Sequence, residues 1–248
     1  GFVLLLAASL LTACGGKEER KAKYFEKGKV YLAEQNYDKA AVEFKNVLQI
    51  DPKDADSFLY LGQIAERKQN WPMAFGNYKK ATEFDPELIE PRARLARLYL
   101  SQLSALKARK DESGAANVLG LVQEQVNELH ARAPENAETM TLEATLWVND
   151  GETDKAIAQL EKVIQREPGM QSAAILLSSL YEQNERTDDA EQVLLNAVKT
   201  NPEPIMLQQR LVGHYLKSKK NDMAEAQLRR IVDENPDTLN YRVNLRKF

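Results

Sequence analysis

Residues 55–88 read ADSFLYLGQIAERKQNWPMAFGNYKKATEFDPEL, and this 34-residue stretch decides the fold. A small residue stands at Gly62 and a large ring at Tyr78, which suits two helices in contact because helices approach closely only where a side chain is small. Pro72 fits the first turn of the second helix, where its missing N–H costs nothing. The residue before Pro86 disfavours the α region, so the second helix ends there. The stretch therefore predicts a hairpin of two antiparallel helices.

The same pattern recurs along the rest of the chain. Prolines that end successive units lie 34, 48, 34, 34 and 34 residues apart. They are Pro52, Pro86, Pro134, Pro168, Pro202 and Pro236. A fixed period of this length is the signature of a repeat architecture. The predicted repeats are residues 21–54, 55–88, 89–136, 137–170, 171–204 and 205–238, followed by a partial repeat over 239–248.

Small residues test this register independently of proline. The eighth residues of the successive repeats are Gly28, Gly62, Ala96, Ala144, Ser178 and Val212. Large apolar residues complement them at position 24 of the successive repeats, namely Phe44, Tyr78, Val126, Leu160, Leu194 and Leu228. Two helices of each unit are therefore expected to pack closely against each other.

The pattern resembles the tetratricopeptide repeat (TPR), a helix–turn–helix unit of 34 residues. The second repeat carries the closest match, through Phe58, Leu61, Gly62, Ala74, Tyr78, Ala81 and Pro86. The resemblance implies an all-α fold, a right-handed superhelical solenoid of antiparallel helix hairpins with about six repeats and a C-terminal half-repeat. Residues 239–248 would either cap the stack or lead into further repeats.

The third repeat is longer than the others by 48 − 34 = 14 residues. Shared equally, they lengthen each helix by seven residues, or roughly 10 Å at 1.5 Å per residue. Leu103 and Leu106 on one arm, with Val118 and Leu121 on the other, are predicted to pack the stem. The long hairpin is either a contact for a second partner or a tolerated insertion.

The N-terminal segment has the features of a targeting signal. Residues 2–11 are almost wholly apolar but too short to span a bilayer, which takes about 20 residues. The following Leu-Thr-Ala-Cys14 resembles the lipobox of bacterial lipoproteins, whose cysteine is lipidated, so residues 1–16 are predicted as signal peptide and lipobox and 17–23 as a tether. An ordinary cleaved signal and a buried apolar N-terminus are the alternatives. In a Gram-negative host, the resemblance to such lipoproteins implies the outer membrane, because Gly15 rather than Asp follows the cysteine.

Composition excludes several classes of function. A net charge of -3 and a pI near 5.7 provide no basic field for nucleic acid, and one cysteine cannot form a disulfide within the chain. His130 and His214 have no partners at metal-ligand spacing, and Ser104 with Lys107 matches an S-x-x-K string without its supporting motifs. We therefore expect no enzyme activity, metal or cofactor, with both histidines structural or solvated.

The resemblance also implies a partner-binding groove lined by the first helix of each hairpin. Carried over by register, its residues are Lys29, Gln63, Arg67, Arg94, Arg97, Thr145, Asn149, Ser179, Glu182, Gln183, Gln209 and Lys217. Charge along the chain is uneven: residues 137–204 hold 5 Lys/Arg against 13 Asp/Glu, and residues 205–248 hold 9 against 5. The balances of -8 and +4 would either steer a polarised partner or simply keep the surface soluble.

These features predict a non-catalytic scaffold for protein partners, lipid-anchored in the bacterial envelope and facing the periplasm. The layout looks like the lipoproteins of exopolysaccharide export systems, and pilus-biogenesis and outer-membrane-assembly lipoproteins also use such repeats. A polysaccharide-binding module is the rival from another class, with Phe25 and Tyr60 as candidates for stacking on sugar rings. An enzyme subunit with its catalytic domain beyond Phe248 is a third hypothesis.

Overall fold

The computed structural model describes residues 2–202 and 205–234, with side chains from residue 16 onward. All regular secondary structure in these ranges is α-helical, and the helices pair into hairpins. Their bounds are α1 Phe2–Ala33, α2 Tyr37–Ile50, α3 Ala55–Arg67, α4 Trp71–Phe84, α5 Ile89–Ala108, α6 Glu112–Arg132, α7 Ala137–Asn149, α8 Thr153–Arg166, α9 Gln171–Gln183, α10 Thr187–Thr200, α11 Ile205–Lys217 and α12 Asn221–Glu234. The prediction of an all-α fold of TPR-type hairpins is confirmed.

The helices form two compact units, α1–α6 and α7–α12, which divide between Ala133 and Pro134. Each unit contains three hairpins that pack in chain order. In the first unit α2 contacts α3 and α4 contacts α5, and in the second unit α8 contacts α9 and α10 contacts α11. Each hairpin therefore covers the apolar face of its neighbour, as stacked repeats require.

Every hairpin in the described ranges turns through one residue with a positive φ, between 57° and 83°. These residues are Gln35, Gln69, Lys110, Gly151, Glu185 and Lys219. Each lies in the turn between the two helices of its repeat, where the chain must reverse within three residues. Only Gly151 enters this left-handed region without a Cβ penalty. In each of the other five turns the N–H of the next residue donates to a carbonyl five residues earlier, at 2.8 to 3.0 Å, as in a Schellman motif.

In the first two hairpins the predicted small residue lies directly against the predicted large ring. A Cβ added at Gly62 would collide with the Tyr78 ring, and one added at Gly28 would lie 2.8 Å from the Phe44 ring. Both rings are fully buried. The absence of a side chain at these glycines is thus what lets the two helices of the first two hairpins meet.

We predict that Gly62→Ala lowers the free energy of unfolding by about 1–2 kcal/mol, because the clash with Tyr78 outweighs the higher helix propensity of alanine. Gly76→Ala is the matched control on α4, since nothing lies within 4 Å of a Cβ there. That variant should gain about 0.5–1 kcal/mol. Urea unfolding followed by circular dichroism measures both, and equal stabilisation by the two substitutions would contradict the packing at Gly62.

The extra residues of the third repeat are shared by both helices of its hairpin. α5 has 20 residues and α6 has 21, whereas α3 has 13 and α4 has 14, so each helix is seven residues longer. Leu103 and Val118 are buried in the stem with Ala115, and Leu106 packs against them. The assignment of Leu121 to the stem was wrong: it is 38% exposed, because Val122 takes the inward position and is fully buried.

Residues 17–23, predicted as a tether, continue helix α1 in the structure. Lys21 bonds Asp51 at 2.6 Å and Asp54 at 2.9 Å, and these hydrogen bonds raise its pKa despite partial burial. Cys14 and the rest of the lipobox lie outside the residues with described side chains, and the half-repeat 239–248 lies outside the described residues. Within the part of the chain that the structure describes, no helix is long and apolar enough to span a membrane.

Candidate functional site

The first helices of the second and third hairpins are joined by a polar network, here called the α3–α5 cluster: Gln63, Glu66, Tyr78, Glu90 and Arg94. Arg94 on α5 donates to Glu66 on α3 and to Glu90 one turn earlier, both at 2.8 Å. Gln63 donates to the same Glu90 carboxylate at 2.8 Å. The hydroxyl of Tyr78 donates to Glu66 at 2.5 Å. The network therefore ties α3, α4 and α5 together on one side.

The electrostatics of this cluster favour a fixed arrangement. Burial and the hydrogen bond to Glu66 raise the pKa of the Tyr78 hydroxyl, so it stays protonated and donates. Burial acts against the charge of Arg94, but Tyr78, Glu90 and Glu66 outweigh it and raise the pKa of the guanidinium. Arg94 was predicted to face a bound partner. In the structure its guanidinium bonds Glu66 and Glu90 within the unit.

The second unit holds a more buried network, here called the α9–α11 cluster: Ser179, Glu182, Glu191, Arg210, His214, Lys217 and Lys220. Glu182 on α9, whose side chain is 7% exposed, lies 2.9 Å from His214 Nδ1 and 3.0 Å from both Arg210 and Lys217 on α11. Arg210 also donates to the Ser179 hydroxyl at 3.2 Å. One carboxylate thus collects three donors from the neighbouring hairpin.

His214 is fully buried between two carboxylates. Ionised Glu182 can only accept, so Nδ1 carries the proton of that hydrogen bond. Nε2 has no hydrogen-bond partner, and the nearest carboxylate oxygen, on Glu191, lies 3.5 Å away. Lys220 in turn bonds Glu191. The sequence-based interpretation of His214 as structural agrees with this position, although the sequence did not indicate its partners.

The charge on Glu182 is strongly stabilised. Burial alone would raise its pKa, but hydrogen bonds from His214, Lys217 and Arg210 outweigh burial and lower it to about 2, from an ordinary value of 4.5. A depressed pKa in the folded state contributes stability above the ordinary value, and that contribution disappears as the pH falls toward 2. The second unit is therefore most stable when Glu182 is ionised.

We predict that Glu182→Gln lowers the free energy of unfolding at pH 7 by about 3 kcal/mol, since three donors lose their anionic acceptor. The difference in the free energy of unfolding between this variant and the unsubstituted chain should shrink as the pH falls from about 5 to 2, because Glu182 itself becomes protonated there. Urea unfolding at pH 7 and pH 3 measures this. Glu185→Gln, on an exposed turn residue of the same hairpin, is the control and should change stability by less than about 0.5 kcal/mol. A pH-independent loss in Glu182→Gln would contradict the account.

The two clusters use the same register. Glu66 and Glu182 lie 182 − 66 = 116 residues apart, and Arg94 and Arg210 are separated by 210 − 94 = 116 residues. This interval equals two ordinary repeats and the long one, 34 + 34 + 48. In both units a glutamate near the end of the first helix of one hairpin therefore bonds an arginine near the start of the first helix of the following hairpin. Arg210 was missed in the sequence prediction, and this 116-residue correspondence is the signal that points to it.

The other predicted groove residues fall into two groups. Lys29, Thr145 and Asn149 bond within or next to their own helices, to Glu26 at 3.2 Å, the Thr141 carbonyl at 2.9 Å and Asp150 at 3.0 Å. The second group is exposed on the first helices and consists of Arg67, Arg97, Gln183 and Gln209. The structure therefore brings Gln63 with Arg94, and Ser179 with Glu182 and Lys217, into two separate networks.

Family comparison agrees with this architecture. Residues 148–209 match a family model described as "Tetratricopeptide repeat", and residues 28–69 match one described as "TPR repeat". The fold is that of tetratricopeptide-repeat proteins. The two matches fall in different units, so each unit carries its own TPR signature.

Solved structures with this TPR architecture resemble the chain at low sequence identity. A thermophilic TPR protein of Thermus thermophilus is 20% identical, with a TM-score of 0.63 over 79% of this chain and 99% of that one. PilF of Pseudomonas aeruginosa is 17% identical, with a TM-score of 0.56 over 94% and 100%. YrrB, a TPR protein with an unusual peptide-binding site, is 16% identical, with a TM-score of 0.50 over 85% and 97%. No curated protein matches the sequence. These likenesses concern the fold.

Proposed function

We propose that this chain is a non-catalytic protein–protein interaction scaffold, and one observation carries the proposal. The α3–α5 and α9–α11 clusters lock neighbouring first helices to each other, while Arg67, Arg97, Gln183 and Gln209 stay exposed on those same helices. A surface fixed before binding loses less conformational entropy when a partner arrives. TPR proteins in general mediate protein–protein interactions, so fold and surface agree.

The described side chains supply no arrangement suited to catalysis. Among the described residues, no three His, Cys, Asp or Glu side chains are grouped to hold a metal ion. His214 is fully buried, and both of its ring nitrogens face carboxylates of the same unit. A general base must reach a substrate proton, and His214 has no such access. Binding is thus the activity that the described residues favour.

We also propose that the scaffold is lipid-anchored through Cys14 in the bacterial envelope, facing the periplasm, with the outer membrane as its site. The lipobox sequence supports this location. In that place a TPR scaffold would support assembly of an export machine, for exopolysaccharide or a similar polymer. Pilus or outer-membrane assembly is the alternative for the same kind of lipoprotein.

The anchor makes a direct prediction. Cys14→Ser removes the thiol that acylation requires, so we expect the variant to incorporate no labelled palmitate in the source cell and to leave the membrane fraction. Fluorography of the purified chain detects incorporated palmitate, and immunoblotting of separated membrane and soluble fractions locates the chain. Ser9→Cys combined with Cys14→Ser is the control and should not restore labelling. Unchanged membrane association of Cys14→Ser would contradict the proposed anchor.

A polysaccharide-binding module is less well supported. The aromatic residues proposed to stack on sugar rings are already engaged: Tyr60 stacks on Phe44 with ring centres 4.8 Å apart and an angle of 2°, and Phe25 meets the Tyr60 ring edge-on at 5.5 Å. Both belong to the hydrophobic cluster of the first two hairpins. Phe44 therefore covers one face of the Tyr60 ring, and that face is closed to a sugar. This weakens the polysaccharide-binding alternative relative to protein binding.

Affinity capture tests the scaffold proposal. The full chain in detergent serves as bait for an envelope extract, and we expect a defined envelope protein to be retained. Lys29→Glu with Arg67→Glu changes two groove residues on α1 and α3 and should reduce that capture at least tenfold. Lys45→Glu with Lys79→Glu makes the same charge change on exposed residues of α2 and α4 and should leave capture intact. Equal loss in both double variants, or recovery of glycan without protein, would contradict the proposal.

A further inference from the structure

His214 departs from the repeat pattern, because the tenth residue of each of the five preceding repeats is apolar. Those residues are Val30, Ile64, Leu98, Leu146 and Leu180. The residue that faces His214 from the preceding hairpin departs as well. Glu191 stands where the repeat before it has Ile157, which belongs to the same hydrophobic cluster as Leu180. A pair of apolar side chains between consecutive repeats is therefore replaced by a histidine and a glutamate.

This replacement is unfavourable while the ring is neutral. The His214 side chain is fully buried, and the Glu191 side chain is 14% exposed. A buried ionic pair is often less stable than the well-packed apolar pair that it replaces. In addition, Nε2 of His214 is buried without a hydrogen-bond partner, and the nearest oxygen of Glu191 lies 3.5 Å away. The neutral ring thus leaves one buried polar atom unsatisfied, which costs stability.

A proton on Nε2 supplies the missing hydrogen bond. A neutral imidazole has one donor and one acceptor nitrogen, whereas both nitrogens of an imidazolium donate. Nδ1 of His214 already donates to Glu182 at 2.9 Å, so Nε2 of the neutral ring presents a lone pair to the Glu191 carboxylate. Only the protonated ring can donate to both carboxylates. It would then join Glu182 on α9 and Glu191 on α10 through α11.

The charged groups around the imidazole ring favour this proton. Glu182 and Glu191 face the ring directly, and their side chains are only 7% and 14% exposed, so salt and water screen them little. Three cations bond these carboxylates: Arg210 and Lys217 bond Glu182, and Lys220 bonds Glu191. The side chains of Lys217 and Lys220 are 65% and 39% exposed, so their repulsion of the ring is screened more strongly.

Two further features complete the surroundings of the ring. Burial opposes any charge on His214. The neutral ring of Tyr215 on the same helix lies edge-on to it, with ring centres 6.1 Å apart. The groups that respond to the proton are therefore the two carboxylates, and the attraction of these two direct contacts outweighs burial and the screened cations.

We propose that His214 is a pH-sensitive link between the α9–α10 and α11–α12 hairpins, which gains a hydrogen bond to Glu191 when the ring takes up a proton in mildly acidic solution. The unfolded chain releases that proton above about pH 6.5, the ordinary range for histidine. The folded unit then binds more protons than the unfolded chain, so its stability rises as the pH falls from about 8 to about 5.5. The inference goes beyond the proposed scaffold function and does not depend on it.

Urea unfolding of the full chain at about pH 8 and about pH 5.5 tests the proposal. The chain has two tryptophans, so Trp71→Phe leaves Trp147 on α7 as a fluorescent reporter of the second unit. The comparison variant is His214→Leu with Glu191→Ile, which restores the apolar pair of the preceding repeat. Relative to this variant, the folding equilibrium constant of the Trp71→Phe chain should rise at least about fivefold from the higher to the lower pH. His130→Gln, which replaces the histidine of the first unit, is the control and should keep the full response.

A second measurement needs no substitution in the link and therefore holds even if the comparison variant does not fold. Nitrogen NMR of the chain with isotope-labelled histidine, assigned with His130→Gln, reports which ring nitrogens carry protons. We expect Nδ1 of His214 alone to be protonated at about pH 8, and both nitrogens at about pH 5.5. A ring that stays neutral at the lower pH, or an equal response of stability to pH in the Leu/Ile variant, would overturn the proposal. Neither measurement involves a partner, so partner capture that depends on Lys29 and Arg67 succeeds or fails separately.

Discussion

The structure depends on the close approach of two helices within each hairpin. At Gly62 and Gly28 the missing side chain admits a buried aromatic ring from the second helix of the same repeat. Because side chains in a packed interior have little room to move, this contact fixes the distance and angle between the two helices. Each hairpin in the described ranges closes through one residue with a positive φ, and local backbone hydrogen bonds hold these turns.

Neighbouring hairpins are then held by a second kind of contact, the glutamate-to-arginine pair between consecutive first helices. Such pairs often contribute little to stability at an exposed surface, but Glu182 is nearly buried and receives three donors. In the first unit the corresponding pair, Glu66 with Arg94, is more exposed, and the Tyr78 hydroxyl donates a hydrogen bond to Glu66. The charged residues predicted for a binding groove thus divide into those that align the helices and those that remain at the surface.

Most of the fold could be predicted from the sequence because the repeat pattern is local. Proline spacing alone predicted the repeat boundaries and the 14 extra residues of the third repeat. The assumption that both helices share those residues equally agrees with the lengths of α5 and α6. Leu121 was misplaced because positions three and four residues after Val118 both lie on the same side of a helix, and packing decides between them in favour of Val122. The clusters were harder to predict, since Glu182 and Arg210 belong to different repeats.

The central claim is that first-helix surfaces, held in place by the two clusters, contact a protein partner. Site-specific photo-crosslinking in the source cell tests it most directly, with a benzoylphenylalanine introduced in place of Arg67 or Gln183 on first helices, and in place of Lys79 on α4. We expect crosslinks to a defined envelope protein from the first-helix positions and none from Lys79. Crosslinks from Lys79 alone, or none to any protein from Arg67 and Gln183, would contradict the claim.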